Sequence, residues 1–167
     1  MPPNAGPTDP IVIDETLIPA TTPHWFPNWP HPVPLPTPAQ ARAAVSGHQG
    51  RTAHIAHFPA LQLVVKFGRA ARVPISEGQA LWVLRQYAVG VPVPDVYGWC
   101  VDGGETFVYM QRVEGDTLTS CWPALGPEQK ADVVAQLAEI ISTMRRLIPK
   151  GSPYDHYADS QPKTNSG

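Results

Sequence analysis

The stretch 61-LQLVVKFGRAARVPISEGQALWVL-84 contains the pattern of a strand, a connecting loop and a helix. Large apolar residues occupy every second position of its first part, at Leu61, Leu63, Val65 and Phe67. This two-residue period predicts a β-strand with one buried face, and it places Lys66 on the opposite face. Gly68 is predicted to end the strand.

The second part of the stretch predicts an amphipathic helix. Ser76 stands where an N-cap belongs, and Gln79 follows it at the spacing of a capping box. A stripe with helical spacing then runs through Glu77, Leu81, Leu84 and Ala88. Glu77 is therefore aligned with the helix face that is expected to turn toward the core.

A carboxylate on a core-facing helix position needs a cationic partner, because an unpaired buried charge is costly. Lys66, on the preceding strand, is the candidate, and we expect its ammonium to lie within about 4 Å of the Glu77 carboxylate. The alternative is a surface lysine and a first-turn glutamate that interacts only with the helix dipole.

Composition limits the class of protein. The chain has 167 residues, a formal net charge of -2 and two cysteines that are far apart in sequence. This length allows one ordinary domain, and the charge argues against a partner that is a nucleic acid or an anionic membrane. The cysteines favour free thiols in a reducing compartment, and the absence of a leader or an apolar span predicts a cytoplasmic protein.

Proline is concentrated at the amino terminus, where residues 1–38 contain 12 of the 21 prolines and no Lys or Arg. We expect this arm to be disordered or extended along a surface. The segment Pro27–Pro30 fits a PxxP ligand, with Trp25, Phe26 and Trp29 as anchors, although these aromatics could instead pack against the following domain. Residues 39–148 are predicted to form that domain, and residues 149–167 a disordered tail.

The remaining patterns predict short elements in a definite order. Thr37 and Pro38 favour a helix over Ala39–Val45, and Gly47 and Gly50 favour a hairpin turn. Further strands are predicted for Arg51–Phe58, at a sheet edge, and for a hairpin formed by Asp95–Val101 and Thr106–Met110. Helices are predicted at Leu118–Trp122 and at Glu128–Leu147.

The long helix has the most regular apolar stripe of the chain: Val133, Val134, Leu137, Ile140, Ile141, Met144 and Leu147. A stripe of this size rarely stays bare on a soluble monomer. We therefore expect this helix either to pack on its own sheet, to mediate self-association, or to make the chain poorly soluble.

The stretches LVVKFG, SEGQALWVL, VPVPDVYGW, FVYMQRVEGDTL and EQKADVVAQLAEIISTMRRL follow one another in an order that resembles the aminoglycoside phosphotransferase family. The resemblance is greatest to the kinase-like members of this family in filamentous fungi, and it covers about Leu35 to Leu147. It implies an α+β fold: the N-terminal lobe of a protein-kinase-like domain, with one helix on a small antiparallel sheet. A linker and the long helix of an incomplete second lobe would follow.

The resemblance also implies an ATP site. Lys66 would hold the α- and β-phosphates and Glu77 would orient Lys66. Val64 would touch the adenine, and Met110 would stand at the back of the pocket; for both, core packing is the alternative. The backbone of Gln111 and Val113 would pair with the adenine edge, and Gly47 and Gly50 would belong to the loop that covers the phosphates.

The sequence departs from the family where the chemistry is expected. The family's second lobe supplies a His-x-Asp loop and metal-binding residues, whereas here His156 and Asp159 are separated by two residues. No catalytic or metal-binding residue is therefore assigned. We expect a truncated phosphotransferase domain that contains the ATP-binding half and is inactive alone, with Mg²⁺ bound only if the missing lobe were present. The alternative is a non-catalytic interaction module that uses the proline-rich arm or the exposed helix.

Overall fold

The computed structural model describes residues 9–45 and 53–152. Its helices and strands in chain order are β1 (Ile11–Ile13), β2 (His24–Trp25), α1 (Pro38–Ala43), β3 (His54–Phe58), β4 (Leu63–Arg69), α2 (Ser76–Tyr87), β5 (Val96–Asp102), β6 (Glu105–Gln111), α3 (Leu118–Cys121), α4 (Pro127–Arg145) and β7 (Leu147–Pro149). Short 3₁₀ turns occupy Glu15–Leu17, Pro59–Leu61 and Trp122–Ala124.

The chain divides into two units. The sheet unit contains Pro19–Trp82 and Pro92–Asp116. The helical unit contains Val83–Val91 together with the described parts of Met1–Ile18 and Thr117–Gly167. Helix α2 begins in the sheet unit and ends in the helical unit, and the two units are described separately below.

The sheet unit is built on a five-stranded antiparallel sheet with the strand order β2-β5-β6-β4-β3. The predictions of an α+β fold and of the β5–β6 hairpin are confirmed, and β3 lies at an edge as expected. The predicted alternation in β4 is also confirmed, because Leu63, Val65 and Phe67 are fully buried while Val64 and Lys66 are half-buried. The strand continues one residue past Gly68, which pairs with Thr106 instead of ending the ladder.

One face of the sheet carries the larger core cluster. Its buried members are Ala41, Ala56, Leu63, Val65, Phe67, Tyr97, Cys100, Phe107 and Tyr109. Helix α1 covers this face, and Thr37 caps it as predicted. The capping box with Gln40 was not predicted, and the helix ends at Ala43, not at Val45. Arg42 of α1 pairs with Asp102 at 2.5 Å and with Glu105 at 2.9 Å, which ties the helix to the turn between β5 and β6.

The opposite face carries a second cluster of Val73, Val96, Trp99 and Val108. Helix α2 lies very close to it at Gly78. A Cβ atom at this position would lie 2.7 Å from Cε3 of Trp99 and 3.3 Å from Cγ1 of Val108. Glycine is therefore the residue that lets the start of α2 approach the sheet.

Of the two states expected for the proline-rich arm, disordered or extended along a surface, its described part has contacts of the second kind. Residues 19–38 belong to the sheet unit, where β2 adds an edge strand to β5. The aromatic side chains provide the physical reason: Trp29 packs against Tyr97 at a ring distance of 4.9 Å, and Trp25 against Tyr109 at 5.1 Å. The alternative in which these aromatics pack on the following domain is the one observed.

The helical unit also corrects two predicted boundaries. Helix α4 ends at Arg145, and the next residues form β7, which pairs in parallel with β1. Lys150 continues this pairing through its amide to the carbonyl of Ile13 and through its ammonium to Asp14, at 2.9 Å. Pairing therefore extends into the segment 149–167 that was predicted to be a disordered tail, and β1 lies within the arm that was expected to be disordered or extended along a surface.

The N-cap predicted at Ser76 is wrong. Ser76 is already the first residue of α2. The side chain of Gln79 does not serve the predicted box but donates its Nε2 hydrogen to the carbonyl of Pro19 at 2.9 Å. The Gln79 side chain therefore donates to a distant carbonyl, whereas in a capping box its Oε1 would accept from the Ser76 amide.

Within the described ranges, none of the helices combines the length and the apolar character needed to cross a bilayer.

Candidate nucleotide site

Lys66 and Glu77 form the ion pair that the sequence predicted. Lys66 Nζ donates to Glu77 Oε2 at 2.6 Å, and the two side chains are 31% and 33% exposed. The strand alternation directs Lys66 away from the larger core cluster, toward the face on which α2 packs. Glu77 stands in the first turn of α2, next to the close approach of Gly78 to the sheet.

The exposure of this pair indicates what it can do. An ion pair that is about one-third exposed contributes only about 0–1 kcal/mol to stability, because water screens the attraction and two side chains lose rotamer freedom. The pair is thus a poor device for holding the fold together. It does hold an ammonium group at a fixed place on a partly open surface, where it can interact with an anionic ligand.

An apolar floor lies beside the ammonium. Val64 is the neighbour of Lys66 on the same strand face, and Met110 is the cross-strand partner of Val64. Both are half-buried, so neither is a plain core residue. Met110 nevertheless packs against the second core cluster, so the alternative of core packing applies to it in part.

Ile55 completes this floor and was not predicted. It is the cross-strand partner of Lys66 from β3, so it shares the same face, and it is 51% exposed. The sequence places Ile55 on an edge strand but does not reveal the register of that strand against β4. In the structure, Ile55 is exposed while its neighbour Ala56 is fully buried, as expected for the two faces of a strand.

The chain leaves the sheet after Gln111. The amide of Gln111 donates to the Asp95 carbonyl at 2.8 Å, and the amide of Arg112 donates to the Gln62 carbonyl at 2.8 Å. Val113, the next residue, is 70% exposed, and its amide has no hydrogen-bond acceptor within residues 9–45 and 53–152. Two residues past the strand that carries Met110, the Val113 amide is thus without an acceptor among the described residues.

Several positions named in the sequence analysis lie outside the residues that the structure describes. Gly47 and Gly50 lie outside the described residues, as do His156 and Asp159. In the part of the chain that the structure describes, no cluster of three or more His, Cys, Asp or Glu side chains could hold a metal ion.

The cysteines do not add a nucleophile to this region. Both are free thiols, and Cys100 is buried. Burial raises the pKa of the Cys100 thiol and also that of the Tyr109 phenol, so both groups are protonated at neutral pH. Cys100 behaves as a core residue.

The helical unit contains a second candidate site. An open apolar groove of about 410 Å³ is lined by Leu118, Thr119, Trp122, Pro123 and Leu137. Helix α4 has no buried residue, and four members of its predicted stripe remain exposed: Val134 at 57%, Leu137 at 43%, Ile141 at 43% and Met144 at 37%.

Comparisons with protein-family models, with curated proteins and with solved structures each found no match to this chain.

Proposed function

We propose that the sheet unit is a nucleotide-binding lobe of the kind found in aminoglycoside phosphotransferases, with ATP as its ligand. The observation that carries the proposal is the 2.6 Å pair between Lys66 and Glu77 on a partly open face. An ammonium held in this way is suited to interact with phosphate oxygens. The half-buried Val64 and Met110, together with the exposed Ile55, would contact the base. The backbone of Gln111 and Val113 would pair with its edge.

Phosphate transfer is not part of this proposal. Transfer depends on a positioned metal ion and a positioned acceptor hydroxyl. The sequence contains no His-x-Asp pattern, and no residue here is assigned to either task. We therefore expect this chain to bind ATP without transferring its phosphate to an acceptor.

Titration of the chain with ATP, followed by calorimetry, tests the proposal. Replacing Lys66 with methionine should weaken binding by about tenfold or more, because a hydrogen bond to a charged group contributes about 1.5–3 kcal/mol. The free energy of unfolding should change by less than about 1 kcal/mol, because the ion pair is partly exposed.

The matched control is Lys150→Met, since Lys150 is 65% exposed and pairs with Asp14 in the helical unit. This variant should keep the wild-type affinity. Wild-type protein that binds no ATP at millimolar concentration, or equal losses in the two lysine variants, would refute the ATP site.

As a second function, we propose that α4 mediates association with a second copy of the chain. The four exposed apolar residues, at Val134, Leu137, Ile141 and Met144, follow a 3-4-3 spacing, which is the pattern of a coiled-coil seam. An antiparallel pair centred on Glu139 sets Val134 against Met144 and Leu137 against Ile141. The acidic start of α4 would then lie near the basic end of its partner, because Glu128 stands in the first turn and Arg145 in the last.

The expected strength of this association is modest. Full burial of one such side chain contributes about 1.5–3 kcal/mol, and these side chains are already about half covered. The eight side chains of the two helices together would contribute on the order of 8 kcal/mol. Association costs about 4–15 kcal/mol in lost translational and rotational freedom. We therefore expect a concentration-dependent equilibrium between monomer and dimer.

Sedimentation velocity over a range of concentrations should show this equilibrium. The double variant Leu137→Lys and Ile141→Lys should remain monomeric at every concentration, because it places two charges in the seam. The control variant Gln136→Lys and Ser142→Lys adds the same charge on exposed polar positions of α4 and should still associate. A wild-type chain that is monomeric throughout would contradict self-association.

The alternative of an interaction module based on the proline-rich arm has less support. Trp29 packs against Tyr97 and donates its Nε1 hydrogen to the Val33 carbonyl at 2.7 Å. An anchor that already has partners within the sheet unit is not available to a separate groove.

A further inference from the structure

Residues 19–26 of the arm, here named the brace, contact the start of α2 as well as the sheet. Gln79 Nε2 donates to the Pro19 carbonyl at 2.9 Å. One turn further along the helix, the ring of Trp82 stacks on Phe26, with centroids 6.5 Å apart and an angle of 14° between the planes. Both contacts are made by α2 residues that lie within five positions of Glu77.

The brace also holds the part of the sheet on which α2 rests. Trp99 Nε1 donates to the Thr21 carbonyl at 3.1 Å, and His24 stacks on the Trp99 ring at 5.4 Å. Trp99 is the residue that Gly78 approaches most closely. The brace and α2 therefore contact the same fully buried indole, one through Thr21 and His24 and the other through Gly78.

The brace is fixed at its far end by a glycine of β5. Trp25 pairs with Gly98, whose φ is +152°. A Cβ atom at position 98 would lie 2.4 Å from Cε3 of Trp25 and 2.5 Å from the His24 carbonyl oxygen. The second of these atoms belongs to the backbone, so any larger residue at position 98 must displace β2 itself.

From these contacts we propose that the brace positions α2 so that Glu77 reaches Lys66, and that Gln79 is a positioning residue for the nucleotide site. The partly exposed ion pair is too weak to fix a helix, whereas the brace contacts α2 at Gln79 and Trp82 and supports Trp99 beneath Gly78. Release of the brace would let α2 shift and would leave Lys66 without its orienting carboxylate. The inference rests on the proposed ATP site for its functional consequence and on the hydrogen-bond and ring contacts for its mechanical part.

The first experiment measures ATP affinity in a double-mutant cycle. Gln79→Leu should weaken ATP binding by about fivefold, because it removes one side-chain hydrogen bond. In the Glu77→Gln background the same change should have no further effect, because the group that the brace positions is already missing. Equal losses in both backgrounds, or no loss in the wild-type background, would overturn the positioning role.

Two further variants distinguish the loss of the brace from a general effect of substitutions on the protein. Gly98→Ala should reproduce the loss of affinity without altering α2 or the arm sequence. Gln86→Leu, an exposed position later in α2, should leave the affinity unchanged. A loss with Gln86→Leu equal to that with Gln79→Leu would show that the effect is not specific to the brace.

Hydrogen exchange makes the inference testable without ATP. Gln79→Leu and Gly98→Ala should each accelerate exchange of the α2 amides at residues 79–82 while those of β4 and β6 keep their protection. If the wild-type chain binds no ATP, this result would still support the brace, and only the ATP site would fail. Unchanged exchange in α2 would overturn the brace whether or not ATP binds.

Discussion

Replacing Trp99 with alanine is expected to lower the free energy of unfolding by about 3–5 kcal/mol, which is the usual cost of removing a buried aromatic side chain. Trp99 is fully buried, and its indole N–H donates to Thr21. The ring also supports His24, Phe26 and the close approach at Gly78. The variant therefore loses core volume and one attachment point of the brace together.

Urea denaturation followed by circular dichroism measures this change. Because a natural domain has only about 5–15 kcal/mol of stability, the variant should be close to unfolding at physiological temperature. Trp99→Phe keeps most of the ring and loses the hydrogen bond, so we expect a smaller cost of about 1–2 kcal/mol.

The surface control is Trp122→Ala. Trp122 is 36% exposed, and Lys130 lies over its ring at 5.5 Å. This substitution should cost less than Trp99→Ala, because about a third of the Trp122 side chain already faces water. A cost for Trp99→Ala no larger than that for Trp122→Ala would contradict the described packing of the second cluster.

The other large effect is expected on the opposite face of the sheet, at Phe107. Its ring is fully buried and stacks on Phe67 with centroids 4.9 Å apart and an angle of 6°. The Arg42 guanidinium lies over the same ring at 4.8 Å, so Phe107 supports the residue that ties α1 to the β5–β6 turn. Phe107→Ala should cost about 3–5 kcal/mol and should also loosen α1.

Chemical denaturation and hydrogen exchange of the α1 amides together check this expectation. Phe107→Leu fills most of the space and should cost about 1.5 kcal/mol or less. It should also leave exchange in α1 closer to wild type than Phe107→Ala does. Full retention of α1 protection in Phe107→Ala would show that Arg42 does not depend on the ring beneath it.

Much of the local structure could be predicted from the sequence because its causes are local. The alternation of Leu63, Val65 and Phe67 predicts both the strand and its buried face, and Thr37-Pro38 predicts the start of α1. The Lys66–Glu77 pair was predictable for a similar reason. The two residues are 11 positions apart, and the strand and helix patterns direct them to the same face.

The tertiary structure alone decided how distant segments meet. Gln79 and Pro19 are 60 positions apart, and Trp99 and Thr21 are 78 apart. The pattern around Ser76 favoured a local capping box, but the Gln79 amide found an acceptor in the arm instead. Proline content predicted that the arm would not fold by itself, and it could not show that Trp25, Phe26 and Trp29 would find partners on a sheet formed later in the chain.

Register was also decided only in three dimensions. Ile55 joins Lys66 on one face because β3 pairs with β4 in a particular alignment, and β7 is a strand because β1 lies beside it. Strands of three to five residues have too few alternating positions to specify an alignment by themselves. The sequence therefore determined which residues prefer which element, while side-chain packing between distant elements determined where the site residues stand.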